Sequence, residues 1–493
     1  MAKLYVFGIG GTGSRVIRSL TMLLAAGARV ENCEKVVPII IDPDAQNGDM
    51  ARTVELLKTY ERLRRHLRPA PGAGQFFATN IQTLASMAAS ENRPRDPRVK
   101  ETFVYNFGGM DESFRDFLHY DDMPVESRYL VDVLFTPQNL ASKLTVGFKG
   151  SPNVGSVVLN QLASSPEMEF FANSFEDGDR VFFISSIFGG TGAAGFPLLL
   201  KNLRNPNAAL PRVELLNTAP IGALTVLPYF NLLADEGSAI DSNGFITKTK
   251  AALAYYQKNL PGLNALYYLG DQSTGQLPNH EGGSKQQNNA HFIELVGALA
   301  VLDFMRQPAD YLANNQPLYY EYGLERDERT VQFQHLDPGQ SLRHAARPLA
   351  QLQLLALWLR HHLADTTDAP YANHLGLAKA WRDDDFYQQL QRLLADPQFG
   401  YEAWLRELQT NERTFRPFDD PALSAKDLNR VVAGQPVETG FFNKGLGRDY
   451  LRGKLNDALP KPVLPADGPA AFVAAFSQVL GQALTDKVPG FSG

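Results

Sequence analysis

The chain has 493 residues, of which 44% are hydrophobic and 20% charged, and its 47 basic and 53 acidic residues give a net charge of −6. This composition is typical of a folded globular protein of two or three domains, or of one large α/β domain with additions, and the lack of a basic excess argues against nucleic-acid binding. The single cysteine, Cys33, excludes an internal disulfide framework, a cysteine-rich zinc site and a Cys-x-x-Cys redox motif.

The chain opens on the pattern of a doubly wound sheet. "KLYVF" predicts a buried strand, Gly8 to Gly13 a turn, and the apolar segment that follows a helix closed by Gly27. A second strand ends at Asp42 and Asp44. The first apolar run is too short and too rich in glycine for a signal peptide, and no 18-residue apolar stretch occurs, so we expect a cytoplasmic protein without a membrane span.

Further strands and helices alternate up to the middle of the chain. Residues 49–68 are predicted to be helical, residues 69–100 to form a long loop, and residues 101–147 give a mixed pattern. Two segments then predict a strand, a glycine-rich turn and a helix, namely "LTVGFKGSPNVGSVVLNQLAS" and "DRVFFISSIFGGTGAAGFPLLLKNLR". "IGALTVLPYFNLL" and "ALYYLG" predict two more strands, with a helix over residues 248–260 between them.

The later part of the chain is predicted to be helical. Residues 288–305 are apolar on nearly every side, which is typical of a helix buried in the middle of a protein. Amphipathic helices follow, with an interruption expected at Pro348. We therefore expect an α/β fold with a doubly wound, mainly parallel sheet over residues 1–287, a long central helix at 288–306 and a helix-rich C-terminal domain at 307–493.

Four strand ends in the first 200 residues have the chemistry of a phosphate site. Glycine lets backbone N–H groups approach a ligand, and the helix that follows brings its positive dipole end to the same place. Carboxyl ends of parallel strands open onto one crevice, so the four ends could share one nucleotide. They are Gly8–Gly13, Asp42–Gln46, Gly147–Gly155 and Gly189–Gly195.

The first of these turns has two interpretations when it is taken alone. Gly8, Gly10 and Gly13 match the G-x-G-x-x-G dinucleotide pattern, and Asp42 stands where an acidic residue would bind a ribose. This suits a Rossmann-type NAD enzyme, or an adenylyltransferase of the ubiquitin-activating type. Asp42 could also serve only to cap its loop.

Taken together, the turns resemble the signature loops of the tubulin/FtsZ GTPase superfamily. "FGGTGAAG" is similar to that family's G-G-G-T-G-[ST]-G loop, with Phe188 in place of the first glycine. "GIGGTGSR", "IIDPDAQ" and "GFKGSPNVGS" resemble its other nucleotide loops, and "NNAHFIELV" resembles the start of its central helix. The resemblance covers residues 3 to 305 and favours a divergent bacterial tubulin-like group over FtsZ itself.

The resemblance implies GTP or GDP as the ligand, with Mg²⁺ held largely by phosphates and water. It implies that Gly150 and Asn153 lie near the γ-phosphate and that Asn288 or Asn289 reads the base. The remaining nucleotide-binding residues would be Gly10, Gly11, Thr12, Gly13, Ser14, Asp42, Asp44, Ala45, Gln46, Gly189, Gly190, Thr191, Gly192 and Ala193. It also implies head-to-tail self-association, and other protein partners are compatible with it.

The sequence departs from the family in the segment that supports hydrolysis. The acidic N-x-D-x-x-D-like motif expected after the central helix is absent, and Asp310, Glu325 and Asp327 are the nearby acidic candidates. Catalytic residues are therefore not assigned, and a nucleotide-binding scaffold without turnover is an open alternative to a GTPase. No metal site is predicted from side chains. Arg15 is open between a phosphate contact and a salt bridge, and His291 is interpreted as a packed helix residue.

Overall fold

The computed structural model describes most of the chain. The described residues are 2–67, 75–90, 96–148, 150–205, 207–232, 242–271, 276–277, 282–313, 316–322, 328–336, 342–363, 369–377, 383–419, 428–440, 445–458 and 468–491. Among these residues, no helix is both long and apolar enough to cross a bilayer.

The strands, in chain order, are β1 (Ala2–Ile9), β2 (Cys33–Ile41), β3 (Asn80–Ile81), β4 (Arg180–Ser186), β5 (Ile221–Val226), β6 (Asn231–Leu232), β7 (Ala265–Leu269), β8 (Gln276–Leu277), β9 (Leu318–Tyr322), β10 (Thr330–Val331) and β11 (Thr414–Phe415).

The helices, in chain order, are α1 (Gly10–Ala25), α2 (Gly48–Arg65), α3 (Leu84–Ser90), α4 (Phe114–Phe117), α5 (Val125–Leu134), α6 (Pro137–Ala141), α7 (Pro152–Val158), α8 (Pro166–Ser174), α9 (Gly190–Leu203), α10 (Val213–Thr218), α11 (Ser242–Asn259), α12 (Phe292–Arg306), α13 (Ala309–Leu312), α14 (Arg347–His362), α15 (Pro370–His374), α16 (Asp385–Ala395), α17 (Tyr401–Leu408), α18 (Arg448–Ala458) and α19 (Gly468–Lys487).

Seven parallel strands form the central sheet in the order β3-β2-β1-β4-β5-β7-β9. In this order β1 and β4 are neighbours. From β1 the chain crosses to β2 in one direction along the sheet, and from β4 it crosses to β5 in the opposite direction. Because such crossovers are right-handed, α1 and α9 cover opposite faces of the sheet. The predicted doubly wound α/β fold is confirmed, and its switch point lies between β1 and β4, where ligands bind in such sheets.

The central helix α12 lies on the same face as α1. All of its residues are buried except Leu299, Asp303 and Arg306, as its apolar pattern predicts. A Cβ built on Gly297 would lie 2.7 Å from Leu224 and 3.2 Å from Val16, so this glycine lets α12 pack closely between β5 and α1. The helix begins at Phe292, later than the predicted Asn288, because the His291 side chain and Glu294 form a capping box there.

Several other expectations differ from the structure. The predicted strand at "LTV" is wrong: Leu144–Val146 is a 3₁₀ turn that ends at Gly147, whose φ is +77°. Three residues are too few to enter the sheet, and Thr145 is exposed. The predicted turn at Gly8–Gly13 is shorter than expected, since β1 runs to Ile9 and α1 begins at Gly10.

The segment after residue 306 is mainly helical in its described part, but it also supplies β9 to the edge of the main sheet. This strand was not predicted, and the sheet therefore draws on residues on both sides of the proposed boundary at 306/307. Pro348 stands in the first turn of α14, directly after a π-helical turn at Leu342–Ala346, so the chain is interrupted where the proline predicts it.

Candidate functional site

The glycine turns after β1 and β4 lie side by side. Gly8 and Ile184 are register partners in neighbouring strands, so α1 and α9 begin next to each other. A Cβ built on Gly10, whose φ is +72°, would lie 3.6 Å from Thr191 Cβ and 3.8 Å from Gly192 N. At Gly192 a Cβ would lie 2.6 Å from the Ser186 carbonyl oxygen, so no larger residue fits there without rearrangement.

The other two predicted corners reach the same place. A Cβ on Gly190 would lie 3.1 Å from the backbone nitrogens of Gly150 and Ser151. A Cβ on Gly147 would lie 3.8 Å from Pro43 Cγ. The four glycine or acidic corners predicted from the sequence therefore converge at the carboxyl edge of β2, β1 and β4, although the third follows a 3₁₀ turn instead of a strand.

The electrostatics of this edge favour an anion. Within the described part of the chain, α1 and α9 begin without a side-chain cap and without an acidic residue in the first turn. By contrast, Asn47 caps α2, with Asp49 in its first turn. The first N–H groups of a helix have no partner inside it, and their dipoles carry positive charge. Two such helix starts in contact form a cradle for a phosphate-sized anion.

The site residues at this edge differ in exposure. Gly11, Gly150, Gly189, Thr191 and Ala193 are half-buried, and Ala45, Gln46 and Asn153 are exposed. Thr12, Gly13, Ser14, Gly190 and Gly192 are buried behind them. The Thr12 hydroxyl accepts a bond from Arg15 at 3.3 Å. The exposed and half-buried groups are therefore the ones that a ligand can reach from solvent.

The two acidic residues after β2 hold their own loop. Asp42 accepts hydrogen bonds from Asp44 N at 3.0 Å and from Asn47 Nδ2 at 3.2 Å. Asp44 accepts from Gln46 N at 3.0 Å and from Gly283 N at 2.5 Å. Burial, together with the nearby carboxyls of Asp44 and Asp49, raises the pKa of Asp42 to about 7. These contacts match the capping role, one of the two roles that the sequence leaves open for Asp42.

Arg15 lies behind the first glycine turn and is fully engaged with protein groups. It donates to Glu294 Oε1 at 2.5 Å, to Asp49 Oδ2 at 2.7 Å and to the Tyr229 hydroxyl at 2.7 Å. Tyr229 in turn donates to Glu294 Oε1 at 2.8 Å. Arg15, Asp49 and Glu294 are all buried, so this is an internal ion network. The structure favours the salt-bridge interpretation of Arg15 over a phosphate contact.

The network extends to one of the predicted base-reading residues. Asp49 accepts from Asn288 N at 3.0 Å, from Asn288 Nδ2 at 3.1 Å and from Arg52 at 2.6 Å. A Cβ on Gly11 would lie 3.8 Å from Asp49 Oδ2, which puts Asn288 beside the first glycine turn. Asn289 instead donates to Thr410 Oγ1 at 2.9 Å, just beyond α17. Both amides have protein partners in this structure.

Asp49, Tyr229 and Glu294 belong to this region but were not predicted from the sequence. The signal available was the presence of ionisable residues within otherwise apolar or amphipathic helices, because a charge on a buried face needs a partner. That signal does not reveal which residues pair. His291 is buried at the start of α12, where its Nδ1 accepts from Ile293 N, and burial lowers its pKa to about 4.

The acidic candidates for hydrolysis do not join this site. Asp310 is exposed in α13, just beyond the end of α12. At that end, Arg180, the first residue of β4, donates to Phe304 O at 2.7 Å, which sets the end of α12 at the amino edge of the sheet, away from the glycine turns. Glu325 and Asp327 lie outside the described residues. The described residues also contain no group of three His, Cys, Asp or Glu side chains placed to hold a metal ion.

Comparison with known proteins gives structural likeness only. No protein-family model and no curated protein matches the sequence. Solved structures similar to this chain include CetZ from Methanosaeta thermophila strain DSM 6194, with 12% identity over 55% of this chain and 46% of that chain and a TM-score of 0.23.

Two further similar structures come from Haloferax volcanii. The GTPγS-bound protofilament of CetZ2 has 13% identity over 62% of this chain and 58% of that chain, with a TM-score of 0.29. The GDP-bound monomer of CetZ1 has 16% identity over 58% of this chain and 56% of that chain, with a TM-score of 0.25. This chain thus matches about half the length of each of the three CetZ chains.

Proposed function

We propose that this chain is a tubulin/FtsZ-like protein that binds GTP or GDP at the convergent glycine turns and assembles head to tail. The observation that carries the proposal is the contact between two uncapped helix starts, α1 and α9, at the switch point of the sheet. Gly11, Gly189 and Thr191 would offer backbone N–H groups to the phosphates, and Gly10 and Gly192 let the two turns approach each other. We place the protein in the cytoplasm as part of the same proposal.

The hydrogen-bond donors at the glycine turns fit the phosphate end of a nucleotide better than its base end. The half-buried backbone at Gly11, Gly189 and Thr191 offers donors to an anion, and Gly150 stands next to it. For Asn288 to read guanine, it would have to exchange its bond to Asp49 for one to the base. Mg²⁺, where present, would be held mainly by phosphate oxygens and water, and would neutralise phosphate charge.

A charge change at Thr191 tests this proposal without threatening the fold. Thr191 lies in the first turn of α9, where an acidic side chain stabilises the helix by about 0.3–1 kcal/mol but repels a phosphate. We expect Thr191→Glu to bind GTP at least tenfold more weakly than the parent chain, which corresponds to about 1.4 kcal/mol, and to unfold no earlier. Titration calorimetry with GTP, GDP, ATP and NAD⁺, paired with thermal unfolding, measures both quantities.

The matched control is Thr191→Gln, because the glutamine side chain has nearly the same shape as that of glutamate but carries no charge. It should bind guanine nucleotide much more tightly than Thr191→Glu does. Preference of the parent chain for ATP or NAD⁺ would overturn the guanine assignment in favour of the Rossmann-type alternative. Equal affinity of the two variants would show that no phosphate lies at this helix start.

A nucleotide-binding scaffold without turnover remains the second candidate, and one observation favours it. The segment 307–317 between α12 and β9 contains a single carboxylate, Asp310, where the tubulin/FtsZ family has an acidic motif. Measuring phosphate release at rising protein concentration separates the two candidates. A GTPase activated by assembly shows a specific activity that rises steeply with protein concentration. A static binder releases no phosphate at any concentration.

A further inference from the structure

Helix α5 has an apolar surface that the described chain leaves uncovered. Only Val131 of its ten residues is buried. The exposed apolar side chains, with their exposed fractions, are Val125 (47%), Tyr129 (68%), Leu130 (60%), Val133 (83%) and Leu134 (55%). Val125, Tyr129 and Val133 form one row at four-residue spacing, and Leu130 and Leu134 form a second row beside it. We call these five residues the α5 face.

A helix this short is not stable in water through its backbone alone. It has no side-chain cap at Pro124, and its single buried residue gives little packing energy. Large apolar side chains on a free surface are typical of a protein interface. The α5 face is therefore an interaction surface whose partner has to supply apolar contact.

The charge around the α5 face defines its partner. Residues 111–134 contain seven Asp or Glu and two Arg, so the apolar rows stand in an acidic surrounding. Helix α11 has the opposite character, with Lys248, Lys250 and Lys258 and no acidic residue between 242 and 259. It also exposes apolar groups, with Tyr255 50% exposed. Ala251, Ala254, Tyr255 and Lys258 are exposed at helical spacing, so they form one basic and apolar face.

The α5 face lies near the carboxyl ends of the sheet strands, whereas the C-terminal half of α11 lies near their amino ends. Asn153, in the third glycine corner, donates to Leu134 O at 3.3 Å, so α5 ends beside the carboxyl edge of the strands. Helix α11 connects β5 to its parallel neighbour β7 and must therefore run back toward the amino edge. Its C-terminal half, with Tyr255 and Lys258, ends there. One molecule cannot join its own two surfaces, but successive copies can.

We infer that the α5 face of one copy docks on the C-terminal half of α11 in a second copy of this chain. The inference rests on the self-association in the proposed function and names the surfaces that would carry it. The contact is heterologous, so repetition gives an open chain of subunits with one polarity unless the rotation between neighbours closes a ring. A ten-residue helix docked on half of an 18-residue helix should bury less area than a standard stable interface, so we expect assembly to be weak and to depend steeply on concentration.

The position of α5 also ties this contact to the phosphate site. Asn139, in α6 just after α5, donates to Ser151 Oγ at 3.2 Å, and the Ser151 backbone nitrogen lies against Gly190. A copy docked on α5 therefore holds the segment that forms the third glycine corner. Nucleotide and the second copy should each strengthen binding of the other, since such coupling is reciprocal.

The test uses sedimentation velocity on the full-length chain over a wide range of concentrations. The parent chain should form oligomers as concentration rises, while Val133→Asp and Lys258→Glu should each weaken association at least tenfold. A mixture of the two variants should form dimers and nothing longer, because each retains one intact surface. Tyr319→Asp, which removes an exposed ring from the edge strand β9, is the control and should assemble like the parent.

The outcomes separate this inference from the proposed function. Normal assembly of Lys258→Glu would overturn α11 as the partner surface, as would a mixture that stays monomeric. A parent chain that stays monomeric at every concentration, with and without GTP, would overturn the contact altogether. GTP binding is measured on the same samples, so loss of guanine-nucleotide binding with intact pairing of the variants would reject the proposed nucleotide and leave the contact standing.

Discussion

The Asp42 carboxyl makes stability depend on pH in a definite direction. Its folded pKa, about 7, is above the ordinary value of 3.8, so between these pH values the folded chain holds a proton that the unfolded chain has released. The stability contributed by this group therefore falls as pH rises through that window, and is constant above it. Replacing Asp42 with Asn removes the titration. We expect the variant to lose this downward slope in urea unfolding measured from about pH 4 to pH 8.

Asp121→Asn is the control for this experiment. Asp121 is exposed, and its hydrogen bond from Arg115 lowers its pKa, so it stays ionised in both states across most of the same window. Its replacement should leave the slope between pH 5 and pH 8 unchanged. If Asp42→Asn and the parent chain have the same pH dependence, the buried carboxyl is not protonated in the folded state.

For single residues, the glycines that meet in the candidate site could be predicted from the sequence, whereas the ion network behind them could not. A glycine that meets backbone within 3 Å of its Cβ position, as Gly192 does, is required by local geometry, and a local motif reveals it. Arg15 pairs with residues 34 and 279 positions away. Nothing in the sequence near Arg15 distinguishes that arrangement from a phosphate contact.

Among the helices of the site, α2 differs from α1 and α9 because a side chain caps it. Asn47 Oδ1 accepts from Asp49 N at 2.9 Å and from Met50 N at 3.1 Å, and its amide nitrogen supports Asp42. Asn47→Ala should cost about 1–2 kcal/mol of unfolding free energy, as cap removal typically does. Because it also releases the loop beside Gly11, we expect it to weaken nucleotide binding severalfold.

Ser165→Ala is the comparison, since Ser165 caps α8 through Met168 N at 3.1 Å and is not part of the four predicted corners. It should lose about 1 kcal/mol of stability, and its affinity for nucleotide should stay unchanged. Urea unfolding and calorimetric titration of both variants distinguish a general loss of stability from a local effect. Equal affinities in the two variants would mean that the Asp42–Asn47 loop does not support the ligand.

The sequence predicts a strand correctly when the strand's own residues determine its place in the fold, and fails when a partner distant in the chain determines it. Each of the strands β1, β2, β4, β5 and β7 contains a run of buried, mostly apolar residues, so its pattern predicts it. β9, "LYYEY", is an edge strand with Tyr319 64% exposed, and its place is decided by pairing with β7, more than 45 residues earlier. "LTV" has strand-like residues, but its neighbours give it no strand to pair with.

For the whole molecule, the Glu407 carboxylate links the C-terminal helices to three segments around the candidate site. Glu407 in α17 accepts from Arg18 at 2.6 Å, from Arg52 at 3.0 Å and from Ala290 N at 2.8 Å. These partners lie in α1, in α2 and just before α12. The elements that form the glycine turns are thus fixed to a helix nearly 400 residues away in sequence.

This arrangement predicts an unequal effect of two substitutions on the same helix. Glu407→Gln leaves Arg18, which is 1% exposed, without its counter-charge, and removing one partner of a buried pair costs about 3–5 kcal/mol. Glu402 pairs with the more exposed Arg360, and loss of such a surface pair costs about 0–1 kcal/mol. Calorimetry should therefore show a much lower unfolding temperature for Glu407→Gln than for Glu402→Gln.

Because Glu407 orients α1 and α2, its loss should also reduce the stabilisation that saturating GTP gives, whereas Glu402→Gln should keep it. Similar unfolding temperatures for the two variants would mean that the C-terminal helices pack on the sheet independently of this carboxylate.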